Sequence, residues 1–190
     1  MSSDPLWTLL AERALHTGQR ITLSSGKVSS FYFDCKPVTL SAAGAPLVGD
    51  AFVSALDTVP GDVAAVGGLT HGADPIIGAV MLRAYAQGRA LDGFYVRKQP
   101  KSHGTRRLIE NPPPPGTRVA IVEDVVTSGK SALKAVAEAR TAGCEVAGVL
   151  ALVDRLDGGA DAILGQVPYY AALYTRDDFP QIDAGEGEVM

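Results

Sequence analysis

The sequence predicts an α/β protein with a central, mostly parallel β-sheet flanked by helices. Short apolar segments, which are typical of buried strands, alternate with longer segments of helical spacing along most of the chain. Two glycine-containing turns, residues 67–72 and 123–129, stand where a predicted strand is followed by a helix. Ligands bind at this end of the strands in open parallel sheets, so these turns are the first candidates for a binding site.

Size and composition fit a single globular domain over residues 1–190. The chain has 190 residues, of which 46% are hydrophobic and 20% charged, as in an average folded domain. No apolar run approaches the roughly 20 residues of a membrane helix, and the N-terminus lacks a secretory signal pattern. Cys35 and Cys144 are too few for a disulfide framework. These features favour reduced thiols and a cytoplasmic location, with no membrane partner.

The distribution of charge favours a small anionic ligand over nucleic acid. The net charge of −4 disfavours a general nucleic-acid binder, which needs a basic surface. An acidic protein with one concentrated basic segment is instead expected to bind a small polyanion at that segment. The basic side chains of this segment are Arg97, Lys98, Lys101, His103, Arg106 and Arg107.

The N-terminal part is predicted to form a helix, a hairpin and a second helix. An Asp-Pro pair begins a helix over about residues 4–15. Arg20–Leu23 and Phe31–Asp34 are predicted strands of a hairpin with aromatic residues on its second arm. Residues 43–57 have the apolar spacing of a helix.

The remaining predicted elements alternate as βαβ units, which implies a parallel sheet. Arg97–Gly116 interrupts this order, has no hydrophobic periodicity and ends in a proline run. A structureless loop of this length in a compact domain is usually functional or mobile. The predicted strands are Val63–Val66, Asp92–Val96, Arg118–Val122, Glu145–Val153 and Tyr169–Tyr174, and the predicted helices are Asp74–Gln87 and Lys130–Ala142.

The segment most informative about chemistry is RVAIVEDVVTSGKS, residues 118–131. Its apolar strand carries two adjacent carboxylates, Glu123 and Asp124, and Thr127–Ser131 then turns into a helix. Backbone N–H groups and small hydroxyls at a helix start suit a phosphate monoester, and neighbouring carboxylates suit sugar hydroxyls or a hydrated Mg²⁺. The glycine spacing differs from that of a Walker P-loop. Glycosidase acids flank a bond from opposite sides, which sequence neighbours do not.

This segment resembles the 5-phosphoribosyl 1-diphosphate binding motif of the type I phosphoribosyltransferases. The resemblance implies that family's fold, with an N-terminal hood over residues 1–40 and a mobile catalytic loop over residues 97–116. Over roughly residues 5–175, the chain is similar to the orotate branch of the family in four further segments. These segments are SSGKVSSFYFD (24–34), GGLTHGADP (67–75), RKQPKSHG (97–104) and VDR (153–155).

The orotate branch transfers a phosphoribosyl group from 5-phosphoribosyl 1-diphosphate to N1 of orotate. The resemblance therefore implies a pentosyltransferase that makes orotidine 5′-phosphate and diphosphate in UMP synthesis. It also implies catalytic roles for Lys101, His103, Glu123 and Asp124. Orotate carries a carboxylate, which Arg155 would bind in a bidentate manner, with Tyr32, Phe33 and Thr127 completing the orotate site. The implied donor site consists of Thr70, His71, Arg97, Lys98, Lys101, His103, Glu123, Asp124, Val125, Val126, Thr127, Ser128, Gly129, Lys130 and Ser131.

The same resemblance implies Mg²⁺ as cofactor and a homodimer as the working assembly. Diphosphate and water are expected to hold most of the metal, with Asp124 as the candidate protein ligand. The loop over residues 97–116 is expected to reach the neighbouring subunit's site. Many relatives have a lysine where this chain has Ser24, and Lys27 and Lys36 are both candidates to replace it. The diphosphate turn likewise often carries Tyr-Lys in place of the Thr-His found here.

Two other functions remain open at this stage. A purine or another base could be the acceptor on the same fold, although the Arg155 segment and the basic loop favour orotate. A nucleic-acid-binding regulator of the same fold is disfavoured by the acidic net charge.

Overall fold

A computed structural model describes residues 4–22, 28–99 and 108–182. The strands in these ranges are β1 (Leu15–Thr22), β2 (Val28–Phe33), β3 (Ala65–Leu69), β4 (Asp92–Val96), β5 (Ile109–Glu110), β6 (Arg118–Val126), β7 (Glu145–Asp154) and β8 (Tyr170–Thr175). The helices are α1 (Pro5–Arg13), α2 (Lys36–Thr39), α3 (Gly44–Leu56), α4 (Ala73–Ala86), α5 (Lys130–Thr141) and α6 (Gly159–Leu164), and a 3₁₀ turn covers Arg176–Asp178.

The described strands form a large sheet and a separate hairpin. The large sheet has the order β5-β4-β3-β6-β7-β8, and β5 pairs antiparallel to β4 while the other neighbours are parallel. The hairpin is the antiparallel pair β1-β2. The predicted α/β class with a mostly parallel sheet is therefore confirmed. No helix in the described ranges is long and apolar enough to cross a bilayer.

Helices cover both faces of the large sheet and bury its apolar side chains. Phe52 of α3 and Ile77 of α4 belong to one buried cluster, which also contains residues of β7. Val136 of α5 and Ile163 of α6 belong to a second cluster with residues of β6. The carboxyl ends of the parallel strands therefore meet at one uncovered edge of the sheet, where ligands bind in such folds.

Helix α1 joins the two ends of the described chain. Asp4 caps the helix through Oδ1, which accepts a hydrogen bond from the Leu6 N–H at 2.9 Å. The other carboxylate oxygen of Asp4 accepts from the Tyr174 hydroxyl at 2.5 Å. The Trp7 indole N–H donates to the carbonyl of Asp178 at 2.8 Å. These contacts fix α1 against β8 and the turn that follows it.

The hairpin begins earlier than the sequence predicted. The first helix ends at Arg13 rather than near Leu15, and β1 starts at Leu15 rather than at Arg20. The reason is pairing across the hairpin, where Leu15 lies opposite Phe33. Pairing with a strand residue about 18 positions away outweighs the helical spacing of Leu15 and its neighbours. A short stretch of sequence does not show such a distant strand partner.

Strand ends in the large sheet also extend further than predicted. β6 runs to Val126, so Glu123 and Asp124 lie within the strand rather than in a turn, because β6 stays paired with β7 up to the Val126–Asp154 pair. β3 covers Ala65–Leu69 and so includes the first glycines of the predicted turn at residues 67–72. The shift follows from paired neighbours on both sides of each strand.

The long loop is less irregular than predicted. Ile109 and Glu110 form β5, which pairs with Val96 and Tyr95 at the edge of the sheet. The Arg97 N–H donates to the Leu108 carbonyl at 2.8 Å and continues this pairing. The short helices α2 and α6 were not predicted either, since each is too short to show an apolar repeat.

The backbones of β3 and β6 approach too closely for a side chain at Gly68. A Cβ there would lie 2.4 Å from the Val122 carbonyl oxygen and 2.4 Å from the Ala73 Cβ. Gly68→Ala is expected to destabilise the fold by about 1–3 kcal/mol, as overpacked core substitutions do. Urea unfolding monitored by circular dichroism measures this change.

Gly78→Ala is the matched control for this prediction. Gly78 lies inside α4, and a Cβ there meets nothing within 4 Å. The control variant is expected to be more stable than the parent by about 0.4–1 kcal/mol, because alanine favours the helix. Equal effects of the two substitutions would contradict the close approach of β3 to β6.

Candidate active site

The carboxyl ends of β3, β6 and β7 border a cleft of about 530 Å³. Segments from the hairpin, the first residues of the long loop and the start of α5 complete its wall. The cleft therefore gathers residues that are up to about 120 positions apart in the chain. The lining residues are Tyr32, Phe33, Lys36, Leu69, Thr70, His71, Gly72, Lys98, Glu123, Asp124, Val125, Val126, Thr127, Ser128, Gly129, Lys130, Ser131, Ala132 and Arg155.

Glu123 and Asp124 supply the acidic part of the cleft from within β6. Glu123 is 5% exposed, and its Oε2 has no hydrogen-bond partner in the described residues. Burial, reinforced by the neighbouring charge of Asp124, raises the pKa of Glu123 well above its usual value. Asp124 Oδ1 accepts a hydrogen bond from the Val125 N–H at 2.9 Å. The pair thus offers both hydrogen-bond donors and acceptors to a bound polyol.

The turn after β3 lies directly against this acidic pair. A Cβ on Gly72 would lie 2.4 Å from Asp124 Oδ1, so a side chain here would displace the Asp124 carboxylate from its position in the cleft. His71 Nδ1 lies 3.3 Å from Asp74 Oδ2, which orients the ring at the start of α4. The peptide bond between Thr70 and His71 is cis. The backbone of this turn and the imidazole are available to an anion in the cleft.

The loop between β6 and α5 combines the start of a helix with small hydroxyl side chains. Thr127–Ser131 lines the cleft and leads into α5 at Lys130. The first N–H groups of a helix have no intrahelical acceptor and attract anions, as the positive end of the helix dipole also does. The neighbouring hydroxyl groups of Thr127, Ser128 and Ser131 add further hydrogen-bonding groups.

The hairpin and α2 contribute the aromatic and basic side of the cleft. Tyr32 is 37% exposed and stacks on His16 with ring centroids 6.3 Å apart. Phe33 is 2% exposed and packs on Phe179 at 5.0 Å, so its ring belongs mainly to the core. Lys36 lines the cleft, and its Nζ lies 2.9 Å from Asp34 Oδ1. This pairing raises the pKa of Lys36, which therefore stays cationic.

Arg155 is a buried cation at the end of β7. Its side chain is 3% exposed, and Nη2 donates to Ser29 Oγ at 3.0 Å. The guanidinium carbon lies 4.4 Å from the ring centre of Phe31. Nε is 3.3 Å from Asp157 Oδ2 but makes no hydrogen bond in the described residues. Burial lowers the pKa of Arg155 from its very high usual value. Nε is thus a buried donor without a hydrogen-bond acceptor in the described residues, and the guanidinium lines the cleft.

Most of the predicted site residues in the described ranges lie in this cleft. The exception is Arg97, whose Nη1 lies 3.4 Å from Glu110 Oε1 at the base of the long loop and which does not line the cleft. Lys98 does line it, and the Lys98 carbonyl accepts a hydrogen bond from Lys134 Nζ at 2.7 Å. Lys101 and His103 lie outside the described residues, and their predicted roles stay predictions.

Four residues line the cleft without having been assigned to the predicted site. They are Lys36, Leu69, Gly72 and Ala132. Lys36 is the most relevant chemically, because it adds a positive charge beside the acidic pair. Lys36 was already one of the two candidates to replace the family lysine where this chain has Ser24. Lys27, the other candidate to replace the family lysine, lies outside the described residues.

No protein-family model matches the chain. Individual proteins, in contrast, match nearly the whole chain. The chain is 47% identical over 178 residues to the orotate phosphoribosyltransferase of Sorangium cellulosum, covering 93% of this chain and 92% of that protein. It is 48% identical over 174 residues to the orotate phosphoribosyltransferase of Thermosynechococcus vestitus, covering 91% and 90%.

The chain belongs to the orotate phosphoribosyltransferase family. Its fold agrees with this membership. The crystal structure of Mycobacterium tuberculosis H37Rv orotate phosphoribosyltransferase in complex with 5-phospho-α-D-ribosyl 1-diphosphate superimposes with a TM-score of 0.74 and 37% identity, covering 91% of this chain and 95% of that one. The orotate phosphoribosyltransferase activity, the enzyme class and the family fold predicted from sequence are therefore confirmed.

The burial of Glu123 makes the stability of the protein depend on pH. Because the pKa of Glu123 is raised on folding, the native state holds the proton more tightly than the unfolded chain does. The stabilising contribution is therefore complete below the unfolded pKa, about 4.3, and is lost as pH rises towards the folded pKa. Glu123→Gln removes this loss, so its stability relative to the parent is expected to increase with pH above about 4.

Thermal unfolding of the two proteins at a series of pH values measures this effect. Glu12→Gln, at an exposed position of α1, controls for the loss of one carboxylate. Parallel stability curves for Glu123→Gln and the parent would contradict the burial of an acid that is protonated on folding.

Proposed function

We propose that the chain transfers the phosphoribosyl group to orotate within this cleft, with the predicted residues in the following roles. The observation that carries the proposal is that Arg155, the acidic pair and the Thr127–Ser131 loop line one and the same cleft. These three features match the carboxylate of orotate, the hydroxyls of ribose and the 5-phosphate, respectively. The donor complex of the M. tuberculosis relative supports binding of the same donor here.

Arg155 is proposed to select orotate over bases that lack a carboxylate. Its guanidinium is buried and lines the cleft, and its Nε has no hydrogen-bond acceptor in the described residues. Nη2 already donates to Ser29 and Nε lies near the Asp157 carboxylate, but Nε makes no hydrogen bond within the described ranges. A carboxylate that accepts from Nε is favoured, because it satisfies a donor already removed from water. Tyr32 and Phe33 are proposed to border the pyrimidine ring, and Thr127 to contact it from the loop between β6 and α5.

The remaining donor contacts are proposed to surround the diphosphate. Thr70 and His71 line the cleft at the turn after β3, and Lys98 lines it at the start of the long loop. Lys101 and His103 are proposed to complete this basic surface, and Arg97 to support the loop from its ion pair with Glu110. Positive charge on several sides of the diphosphate favours its departure from the ribose.

The proposed reaction is displacement of diphosphate at C1 of the ribose by N1 of orotate, with inversion. Positive charge develops on the ribose ring, and negative charge accumulates on the leaving diphosphate. Glu123 and Asp124 hold the ribose hydroxyls, and the carboxylate of Asp124 favours the cationic ring. Lys98, Lys101 and His103 stabilise the leaving group by preorganised electrostatics. Exclusion of water by the closed loop would protect the donor from hydrolysis.

Mg²⁺ is proposed as the cofactor, and the donor set fits a metal held mainly by substrate. The described residues contain no group of three or more His, Cys, Asp or Glu side chains that could form a complete protein site. Asp124 in the cleft offers the single carboxylate that Mg²⁺ commonly takes from a protein when phosphates and water supply the rest. When bound, the ion neutralises charge on the diphosphate.

A homodimer and a cytoplasmic location are proposed as well. Leu82 and Tyr85 of α4 are 72% and 81% exposed, which supports a contact between protomers at this helix. The loop over residues 97–116 is proposed to reach the neighbouring site. Cys35 and Cys144 are both unpaired, which supports a reducing compartment.

The first test follows the near-ultraviolet absorbance of orotate in the presence of 5-phosphoribosyl 1-diphosphate, with and without Mg²⁺. Donor-dependent loss of absorbance is expected for the parent protein. Arg155→Met is expected to raise the KM for orotate by about tenfold or more, because each lost charged hydrogen bond costs about 1.5–3 kcal/mol. Turnover of a purine, but not of orotate, would contradict the proposed role of Arg155.

The second test concerns the long loop. Lys101→Ala is expected to lower kcat on the order of 10²–10³-fold while leaving the KM for orotate nearly unchanged, since its charge acts on the leaving group. Steady-state kinetics with both substrates measure the two effects. An unchanged kcat would count against the loop mechanism.

Mixing variants tests whether the loop acts on its neighbour. Lys101→Ala and Arg155→Met protomers are unfolded together, refolded together and assayed. If each loop serves the adjacent site, mixed dimers contain one site with both defects and one with neither, so activity is expected to exceed that of either variant alone. If each loop serves its own site, no recovery occurs.

A further inference from the structure

The backbone around Arg155 is held by the residue before it. The Arg155 N–H donates to the Val126 carbonyl at 2.9 Å, which extends the pairing of β6 and β7 by one residue. Leu156 then adopts φ +57°, a left-handed conformation that is unfavourable for leucine. Asp154 Oδ1 accepts from the Leu156 N–H at 2.8 Å and holds this turn. The direction in which Arg155 leaves β7 therefore depends on Asp154.

The Asp154 carboxylate is itself held by β8. Asp154 is 2% exposed, and its Oδ2 accepts a hydrogen bond from the Tyr170 hydroxyl at 2.6 Å. Burial and the bond to Asp154 raise the pKa of Tyr170, so the phenol stays protonated and remains a donor. A buried carboxylate without this donor would lose the acceptor geometry that it offers to Leu156. Neither Asp154 nor Tyr170 lines the cleft.

We propose that Asp154 and Tyr170 are positioning residues for Arg155, which fix its guanidinium for the carboxylate of orotate. The proposal rests on the proposed role of Arg155. The two residues act through the turn at Leu156, whose conformation decides where the arginine side chain starts. The guanidinium contacts Ser29 and Phe31 of the hairpin, and its Nε lies 3.3 Å from Asp157 Oδ2 in the segment after β7. The Tyr170–Asp154 bond therefore supplies the constraint from the large sheet.

Strand β8 offers a matched control for this bond. The Tyr174 hydroxyl donates to Asp4 Oδ2 at 2.5 Å, so it also joins a β8 tyrosine to a carboxylate. Burial raises the pKa of Tyr174 as well. Asp4 caps α1 by accepting from the Leu6 N–H. Tyr170→Phe and Tyr174→Phe thus remove the same kind of hydrogen bond, one to the carboxylate beside Arg155 and one to the carboxylate that caps α1.

The experiment compares steady-state kinetics and thermal unfolding of these two variants. Tyr170→Phe is expected to raise the KM for orotate by roughly tenfold to a hundredfold, as a misplaced binding group does. Its KM for 5-phosphoribosyl 1-diphosphate is expected to stay within about twofold of the parent value, because the donor contacts lie elsewhere in the cleft. Tyr174→Phe is expected to lower the unfolding temperature with both KM values unchanged.

A second pair of variants covers the case in which Tyr170→Phe does not fold. Asp154→Asn keeps an oxygen for the Leu156 N–H and an amide that can donate to the Tyr170 oxygen, so its KM for orotate is expected near that of the parent. Asp154→Leu keeps the size but loses both bonds and is expected to raise that KM. Equal KM values for orotate in these two variants, or in Tyr170→Phe and the parent, would overturn the positioning role.

Arg155→Met separates this proposal from the one on which it rests. If that variant leaves the KM for orotate unchanged, the role of Arg155 itself is wrong. If it raises the KM while Tyr170→Phe and Asp154→Leu do not, only the positioning role is wrong. A rise in the KM for orotate in Arg155→Met, Tyr170→Phe and Asp154→Leu, without a rise in Tyr174→Phe, supports both.

Discussion

The close approach of β3 to β6 is the constraint on which the cleft depends. A side chain at Gly68 would collide with the Val122 carbonyl, and a side chain at Gly72 would collide with the Asp124 carboxylate. Because neither residue has one, the turn after β3 and the acids of β6 lie side by side at the same edge of a parallel sheet. The groups proposed for diphosphate and for ribose therefore face one small volume, which the backbone contact at Gly68 and the absence of a side chain at Gly72 both permit.

This arrangement leaves two buried polar atoms whose hydrogen bonds a ligand in the cleft would complete. Glu123 Oε2 and Arg155 Nε are both buried without a hydrogen-bond partner in the described residues. Burial without a partner is unfavourable, which is why the pKa of Glu123 rises and why the pKa of Arg155 falls. A ribose hydroxyl and a carboxylate are the complementary groups. The protein thus accepts a cost in stability at the proposed substrate site, as functional sites commonly do.

The hairpin and the large sheet depend on each other through Arg155. The cation emerges from β7, yet its guanidinium is held by Ser29 and lies over Phe31 of β2. Removing one partner of a buried cation strongly destabilises the folded state, because the charge is then left uncompensated. Arg155, which is proposed to bind orotate, therefore also holds the hairpin at a fixed position against the large sheet. The bond between Asp154 and Tyr170 supports that residue from behind.

The sequence by itself determined the order of elements, the fold class and the family. It also located the acidic pair and the phosphate loop, because the strand, turn and helix of residues 118–131 are contiguous and their chemistry is local. Tertiary structure decided what depends on distant partners. It extended β6 through Glu123 and Asp124, placed Lys36 in the cleft and kept Arg97 out of it. It also joined Asp154 to Tyr170 across neighbouring strands. These outcomes follow from strand pairing and side-chain packing between segments far apart in the chain, which no local pattern encodes.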